Sequence, residues 1–247
     1  MSQQYIPKRA MFIYAHPDDI EFGVAGTAAK WAKHGCEVVY VVITDGNVGS
    51  HEPGMTAEKL AKTRRAEQTA AARVAGAKEC IFLGYHDGLL QPTLELRKAL
   101  VRLIRKYKPN VVVCGDPTKV FSDNNRINHP DHRAAALATI DAVFPAAEMP
   151  LLYPDLEAEG LTAHKVNYVY ISYPRPEETN YYEDITETID VKIEALRQHV
   201  SQLGDWDPEE PLRNWARENG KKVGFKYAER FRRIVLKEVE ETADTDQ

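Results

Sequence analysis

Two short stretches concentrate the residues that can do chemistry. The first is Ala15-His16-Pro17-Asp18-Asp19 and the second is Asn128-His129-Pro130-Asp131-His132. Each follows an apolar, strand-like run and opens a helical segment. A loop in that position often binds phosphate, through glycines and a helix N-terminus. The first motif has no GxGxxG, and two adjacent carboxylates would repel phosphate. A histidine and two aspartates at a strand end suit a cation instead. Adjacent residues project differently, so one of Asp18 and Asp19 can ligate a metal while the other reaches a water on it. His16 and Asp19 are three apart and can meet at the start of a helix. Alone, this motif is equally well a helix N-cap beside a loop histidine. The second motif shifts the balance, because His129 and His132 are three apart on one helical face. Together the motifs supply the two-histidine, one-carboxylate set of a catalytic zinc with an open position. They leave a carboxylate and a histidine for acid–base work. Such a set also accepts Fe(II) or another divalent metal.

The elements that must position these residues follow from periodicity. Residues 10–15, 38–43, 79–83 and 110–115 read as strands, the second being β-branched and continuous. Residues 20–34, 56–75, 94–107 and 130–143 read as helices, with Gly35 and Gly76 as stops and Pro130 in a first turn. This alternation predicts an α/β, Rossmann-like, mostly parallel sheet with helices on both faces. Ligands bind such folds outside the carboxyl ends of the strands, and both motifs sit at that edge. After Phe144 the rhythm changes. Residues 166–171 read as a strand, and 190–203, 208–218 and 227–237 as helices. The expectation is a single domain over residues 1–237, with a core at 9–144 and a C-terminal strand/helix cap at 145–237. Residues 238–247 are acidic and apolar-poor and read as a disordered tail.

Composition narrows the class. The chain has 247 residues, 43% hydrophobic and 28% charged, with net charge −5. These values fit a globular protein and exclude disorder, collagen or coiled coil as whole-chain answers. The bulk charge argues against a nucleic-acid or anionic-membrane binder. No apolar run approaches the length of a membrane span, and the N-terminus lacks a signal-peptide core. Cys36, Cys80 and Cys114 form no CxxC pair and read as packing residues, consistent with a reducing, cytoplasmic setting.

The sequence resembles the LmbE-like (PIG-L) family of zinc-dependent N-acetylglucosamine de-N-acetylases. The matching stretches are AHPDDIEFG (15–23), TDG (44–46), RRAEQTAAARVAG (64–76), LGYHDGL (83–89) and NHPDHRA (128–134), with weaker echoes at 192–203 and 228–233. The resemblance implies His16, Asp19 and His132 as zinc ligands, Asp18 as general base and His129 as the residue facing the oxyanion. It implies that Asp131 holds the tautomer of His129 and favours its charged form. It makes Arg64 a sugar contact. It further implies removal of acetyl from a small GlcNAc-containing substrate, of GlcNAc-malate or chito-oligosaccharide type, and a homo-oligomer, trimer or hexamer. Mycothiol-pathway members carry a tyrosine two residues before the first histidine of the second motif. Ile127 stands there, so the resemblance gives no support to a tyrosine-assisted oxyanion or an inositol-linked substrate.

Other readings stay open. A metal-dependent amidase acting on another N-acyl compound, such as a thiol conjugate or antibiotic, fits the same motifs. A non-catalytic sugar- or nucleotide-binding module would want a glycine-rich phosphate loop. A two-metal phosphoesterase would want more carboxylates. Asp45 either orients a ligand or makes an Asx turn before Gly46. Asp87-Gly88 reads as a turn by composition and either contacts the pocket or only turns the chain, and Asn128 joins Arg64, Asp45 and Asp87 as a substrate-side candidate. His199 reads as a packed or surface residue. The loops at 46–55 and 116–127 are candidates for shaping specificity. Trp206 and Trp215 read as packing ahead of sugar stacking.

Overall fold

A computed structural model describes residues 4–238. The expected acidic tail lies outside the described residues from position 239 onward. One seven-stranded sheet organises the chain, in the order β3-β2-β1-β4-β7-β9-β8. Its members are β1 (Arg9–Tyr14), β2 (Glu37–Thr44), β3 (Glu79–Tyr85), β4 (Val111–Cys114), β7 (Tyr168–Ser172), β8 (Tyr181–Asp184) and β9 (Ala228–Val235). A separate hairpin pairs β5 (Phe121–Asp123) with β6 (Arg126–Ile127). Strands β3, β2, β1, β4 and β7 run parallel, and β9 is antiparallel to both β7 and β8. Val38–Thr44 is buried at every position, as a strand covered on both faces requires. The two cores lie on opposite sides of this sheet: Met11, Ile13, Val39 and Val41 feed one, and Phe12, Tyr40, Val38 and Trp31 the other.

The strand order reverses between β1 and β4. That places a crevice beyond their carboxyl ends, where open α/β sheets bind ligands. The helices around it are α1 (Asp19–Gly23), α2 (Ala25–Lys33), α3 (Ala57–Val74), α4 (Leu94–Tyr107) and α5 (Pro130–Asp141). Thr56 and Thr93 cap α3 and α4 by accepting from Lys59 N and Leu96 N, each at 3.2 Å. The inward face of α3 carries Leu60, Arg64, Gln68, Ala71 and Ala72. That stripe brings two long polar side chains to the crevice.

Three expectations are corrected. The segment 20–34 is two helices, not one. Glu229 of β9 accepts from Gly26 N at 3.0 Å and Thr27 N at 2.8 Å, so a distant carboxylate caps a second helix start. The segment 227–237 is strand β9 rather than a helix. Its apolar residues Ala228, Phe231 and Ile234 recur every three residues, a helix-like spacing, and pairing to β7 and β8 decides for the strand. The segment 190–203 breaks at Gln198-His199 into α7 (Ile189–Arg197) and α8 (Val200–Leu203). The helix expected at 208–218 is α9 (Glu209–Lys221), preceded in the chain by the short α6 (Pro154–Ala158). The strand expected at 166–171 is β7, which pairs directly with β4. Strand β8 and the hairpin inside the 116–127 loop had no sequence signal.

Candidate active site

The two motifs meet at the crevice. His16 follows β1 in the turn into α1, and Asp19 is the first residue of α1. His129 caps α5 and His132 lies in its first turn. His132 Nε2 lies 3.1 Å from Asp19 Oδ1 and 3.1 Å from His16 Nδ1. His16 Nδ1 lies 3.5 Å from Asp19 Oδ2. Tetrahedral zinc with bonds near 2.0–2.1 Å holds neighbouring donors about 3.3 Å apart. The three side chains therefore present donor atoms at the spacing of one metal, and they form a group able to hold an ion.

The neighbouring residues fix which ring nitrogen faces that point. His132 Nδ1 lies 3.2 Å from Asn128 Oδ1, which leaves Nε2 bare. Asn128 is itself held by donating to Lys119 O at 2.8 Å. His16 Nε2 lies 2.9 Å from Asp87 Oδ1 and 3.4 Å from Asp131 Oδ2, which leaves Nδ1 for the cluster. Asp87 and Asn128 thus stand behind the two histidines. Asp131 is fully buried and accepts from Gly88 N at 2.7 Å and Leu90 N at 3.3 Å.

Charge in the cluster favours a cation. Burial would lower the pKa of His16, but the carboxylates of Asp131, Asp19 and Asp87 push it up to about 12. Burial raises Asp19, yet His132 and His16 hold it well below the usual carboxylate range. Burial likewise raises Asp87 and Asp131, and His16 draws both below it. Three carboxylates crowd one imidazole, an environment that a divalent ion neutralises.

The expected pairing of Asp131 with His129 takes a different form. The backbone N of Asp131 donates to His129 Nδ1 at 3.2 Å, while its carboxylate stands 4.0 Å away. Burial, then the charge of His16, lower the pKa of His129, and Asp131 does not reverse that. The surroundings of His129 in this arrangement therefore disfavour its charged form. The carboxylate of Asp131 faces His16 and the 88–90 turn.

Residues 11–143, more than half of the chain, match the family described as PIG-L, GlcNAc-PI de-N-acetylase. The diacetylchitobiose deacetylase of Thermococcus kodakarensis is 36% identical over 228 residues, covering 91% of this chain and 82% of that protein. This chain belongs to the PIG-L family. A probable N-acetyl-alpha-D-glucosaminyl L-malate deacetylase of Bacillus anthracis is 27% identical, covering 79% of this chain and 82% of its own. The solved N,N'-diacetylchitobiose deacetylase of Pyrococcus horikoshii, complexed with its inhibitor MPG, superposes with a TM-score of 0.84 at 33% identity. That match covers 93% of this chain and 84% of the other. As a PIG-L member the chain is an N-deacetylase, a hydrolase.

Arg64 lies against Asp18. Asp18 has φ +85, a left-handed backbone at the entry to α1. Arg64 is buried and donates from Nη2 to Asp18 Oδ2 at 3.0 Å and Pro17 O at 2.6 Å, and from Nη1 to Gly46 O at 3.1 Å. It therefore grips the aspartate and its loop. Gly46 has φ +60, and a Cβ there would sit 2.5 Å from Arg64 Nη1; only glycine leaves room. Burial raises Asp18 to about 6, against Arg64, whose charge lowers it. The side chain of Asp45 faces Gly84 of β3, whose Cβ would be 3.8 Å from Oδ1. Its backbone N donates to Tyr85 O at 2.8 Å.

A cavity of about 430 Å³ opens on Asp19 and His132 from the β4/β7 side. Its walls include Phe22, Lys119, Arg126, Tyr173 and Trp215. A second cavity of about 420 Å³ shares Phe22, Tyr173 and Trp215 with the first. Trp215 is 55% exposed at this junction, whereas Trp206 stacks on Phe22 with ring centroids 6.2 Å apart. The site contains one feature that sequence reading missed: Glu21, Gln68 and His199 are fully buried in contact with one another. The sequence signal that would link them was Gln68, four residues after Arg64 on the buried stripe of α3. Among the described residues no helix is long and apolar enough to cross a membrane.

Proposed function

We propose that this protein is a zinc-dependent hydrolase that removes the N-acetyl group from a small GlcNAc-containing sugar, giving acetate and a free amine. The observation that carries this reading is the convergence of His16 Nδ1, Asp19 Oδ1/Oδ2 and His132 Nε2 at 3.1–3.5 Å, with Asp18 gripped beside them. These three residues would hold the metal. Zinc there would lower the pKa of a coordinated water towards ~7 and polarise the acetyl carbonyl.

The protein's own groups divide the remaining work. Asp18 is the general base. A buried carboxylate near pKa 6 is ionised at neutral pH yet basic enough to accept a proton. It takes the proton of the attacking water, the amide C–N bond breaks, and the proton passes to the departing nitrogen. His129 is 41% exposed over the cluster, and its ring N–H donates a hydrogen bond to the oxyanion. Asp131 and Asp87 hold His16, and Asn128 holds His132. Arg64 holds Asp18. Asp45 remains a candidate sugar contact at the end of β2.

The cavities support a substrate larger than one sugar ring. A volume near 430 Å³ lies within the usual range of small-molecule sites. An exposed Trp215 beside Tyr173 offers a face for a second pyranose. We therefore favour a diacetylated disaccharide. Lys119 and Arg126 on the same wall support a second reading, in which the aglycone is a carboxylic acid such as malate. The exposed Phe144, Met149, Leu151 and Leu152 support assembly as a homo-oligomer.

The test is acetate release from GlcNAc, GlcNAc-malate and diacetylchitobiose, with zinc and after chelation, beside Asp18→Ala and His132→Ala. Metal-dependent release from the disaccharide, lost in both variants, is expected. A folded, zinc-loaded wild type releasing no acetate from any of them overturns the substrate. A wild type that binds no metal overturns the site.

A further inference from the structure

Behind Asp18 lies a chain of polar side chains that the proposed reaction leaves without a task. The backbone N of Asp18 donates to Gln68 Oε1 at 2.8 Å. Gln68 Nε2 donates to Glu21 Oε1 at 3.1 Å and Oε2 at 3.2 Å. His199 Nε2 lies 3.2 Å from Glu21 Oε2. Glu21, Gln68 and His199 are all 0% exposed. They come from α1, α3 and the break between α7 and α8. His199 Nδ1 is buried without a hydrogen-bond partner.

The chemistry of the groups sets their order. A carboxylate only accepts, so Glu21 must face the amide N of Gln68 and an N–H of His199. Gln68 then has its carbonyl oxygen turned toward Asp18. The oxygen meets the backbone N–H of the site residue whose φ is +85. That conformation is costly for an aspartate and persists only where the surroundings impose it. Helix-to-helix packing alone would be met by apolar side chains, at no cost in buried polarity. A line of three buried polar groups ending on a strained backbone N–H indicates orientation.

Given the deacetylase reading above, we propose that Gln68, fixed by Glu21 and His199, is a positioning residue that holds the backbone of Asp18 in its left-handed turn and so aims its carboxylate at the attacking water. The α7/α8 break thereby becomes part of the base's support. The sequence offered His199 only as a packed or surface histidine.

The test uses the full chain, diacetylchitobiose and zinc. Gln68→Leu is expected to lower kcat on the order of 10–100-fold while KM stays within about twofold. Bound zinc should remain equal to wild type. His199→Leu should lower kcat on the order of tenfold, and His199→Gln, which restores an N–H near Nε2, should recover most of it. Should Gln68→Leu not fold, the His199 pair carries the same test. The inference is overturned if folded, zinc-loaded Gln68→Leu and His199→Leu keep wild-type kcat. It is also overturned if kcat and zinc are lost together, since the network would then serve the ligand Asp19. A wild type without deacetylase activity overturns the function and this inference together, whereas an active wild type with unaffected variants overturns this inference alone.

Discussion

Replacing Arg64 tests whether it serves Asp18 or the substrate. Asp18 has a pKa of about 6, raised by burial and opposed first by Arg64. The ionised form is the base, so activity is present above this pKa and lost as pH falls through it. Arg64→Gln removes a positive charge whose Nη2 stands 3.0 Å from Asp18 Oδ2. At an effective dielectric near 20, unit charges about 4 Å apart interact by about 4 kcal/mol. Neighbouring groups absorb part of that, and an arginine beside an aspartate commonly shifts it by ~1–3 pKa units. The acid limb of kcat/KM is therefore expected to move up by about 1–2 units. At pH 7 the ionised fraction drops from about nine-tenths to between about a half and a tenth, a loss of about two- to tenfold that recovers near pH 9. A bound metal lowers Asp18 in both proteins, which moves both limbs and shrinks the loss at pH 7 but leaves the separation of about 1–2 units between them, so that separation is the readout. Arg64→Lys keeps the charge and should keep the limb, while losing grip on the Pro17 and Gly46 carbonyls. The assay is a pH–rate profile of wild type and both variants. An unmoved limb in folded Arg64→Gln, with a pH-independent rise in KM, would refute the reasoning and make Arg64 a sugar contact.

Three further outcomes are expected. Asn128→Ala should weaken zinc binding about 10–100-fold, because His132 loses the partner on Nδ1; a chelator-competition titration giving wild-type affinity would contradict this. Gly46→Ala forces a Cβ to 2.5 Å from Arg64 Nη1 at φ +60 and should cost about 1–3 kcal/mol, seen as a Tm lower by about 2–4 °C per kcal/mol. An unchanged Tm would mean that Arg64 is free to move away. Trp215→Ala should raise KM for the disaccharide about two- to tenfold and leave GlcNAc unaffected; equal effects on both would remove the second-ring subsite.

Much of the fold was legible because its signals are local. Strand β2 is continuous and β-branched, and α3 and α4 have threonine caps and apolar stripes. The parts that were not legible depend on partners far along the chain. The start of α2 needs Glu229, about 200 residues away. Strand β9 reads as an amphipathic helix until β7 and β8 lie on either side of it.

The site divides in the same way, and the division explains why some residues change character between sequence and structure. The metal-facing candidates come in two contiguous motifs, so their spacing announces a His/Asp cluster, and the family resemblance selects His16, Asp19 and His132 from it. Asp87 and Asn128 were visible as polar residues at the active edge, where a substrate contact is the natural expectation, and Arg64 was a sugar contact by the family resemblance. The structure gives each an additional partner: Asp87 on His16, Asn128 on His132, Arg64 on Asp18. A histidine ligand needs one nitrogen bare and the other occupied, so each ligand at a strand end draws a polar partner to the same edge. Residues that would touch a sugar and residues that aim a ligand therefore occupy the same loops and share the same chemistry in sequence. Gln68 went unnoticed, and His199 was read only as a packed or surface residue, for the converse reason. Gln68 sits on a helix whose buried face is otherwise largely apolar, where a polar side chain looks like a surface residue slightly out of phase, and His199 sits at a helix break that its local sequence does not mark. A buried polar residue one turn from a recognised site residue, as Gln68 is from Arg64, is the pattern that would have exposed the network.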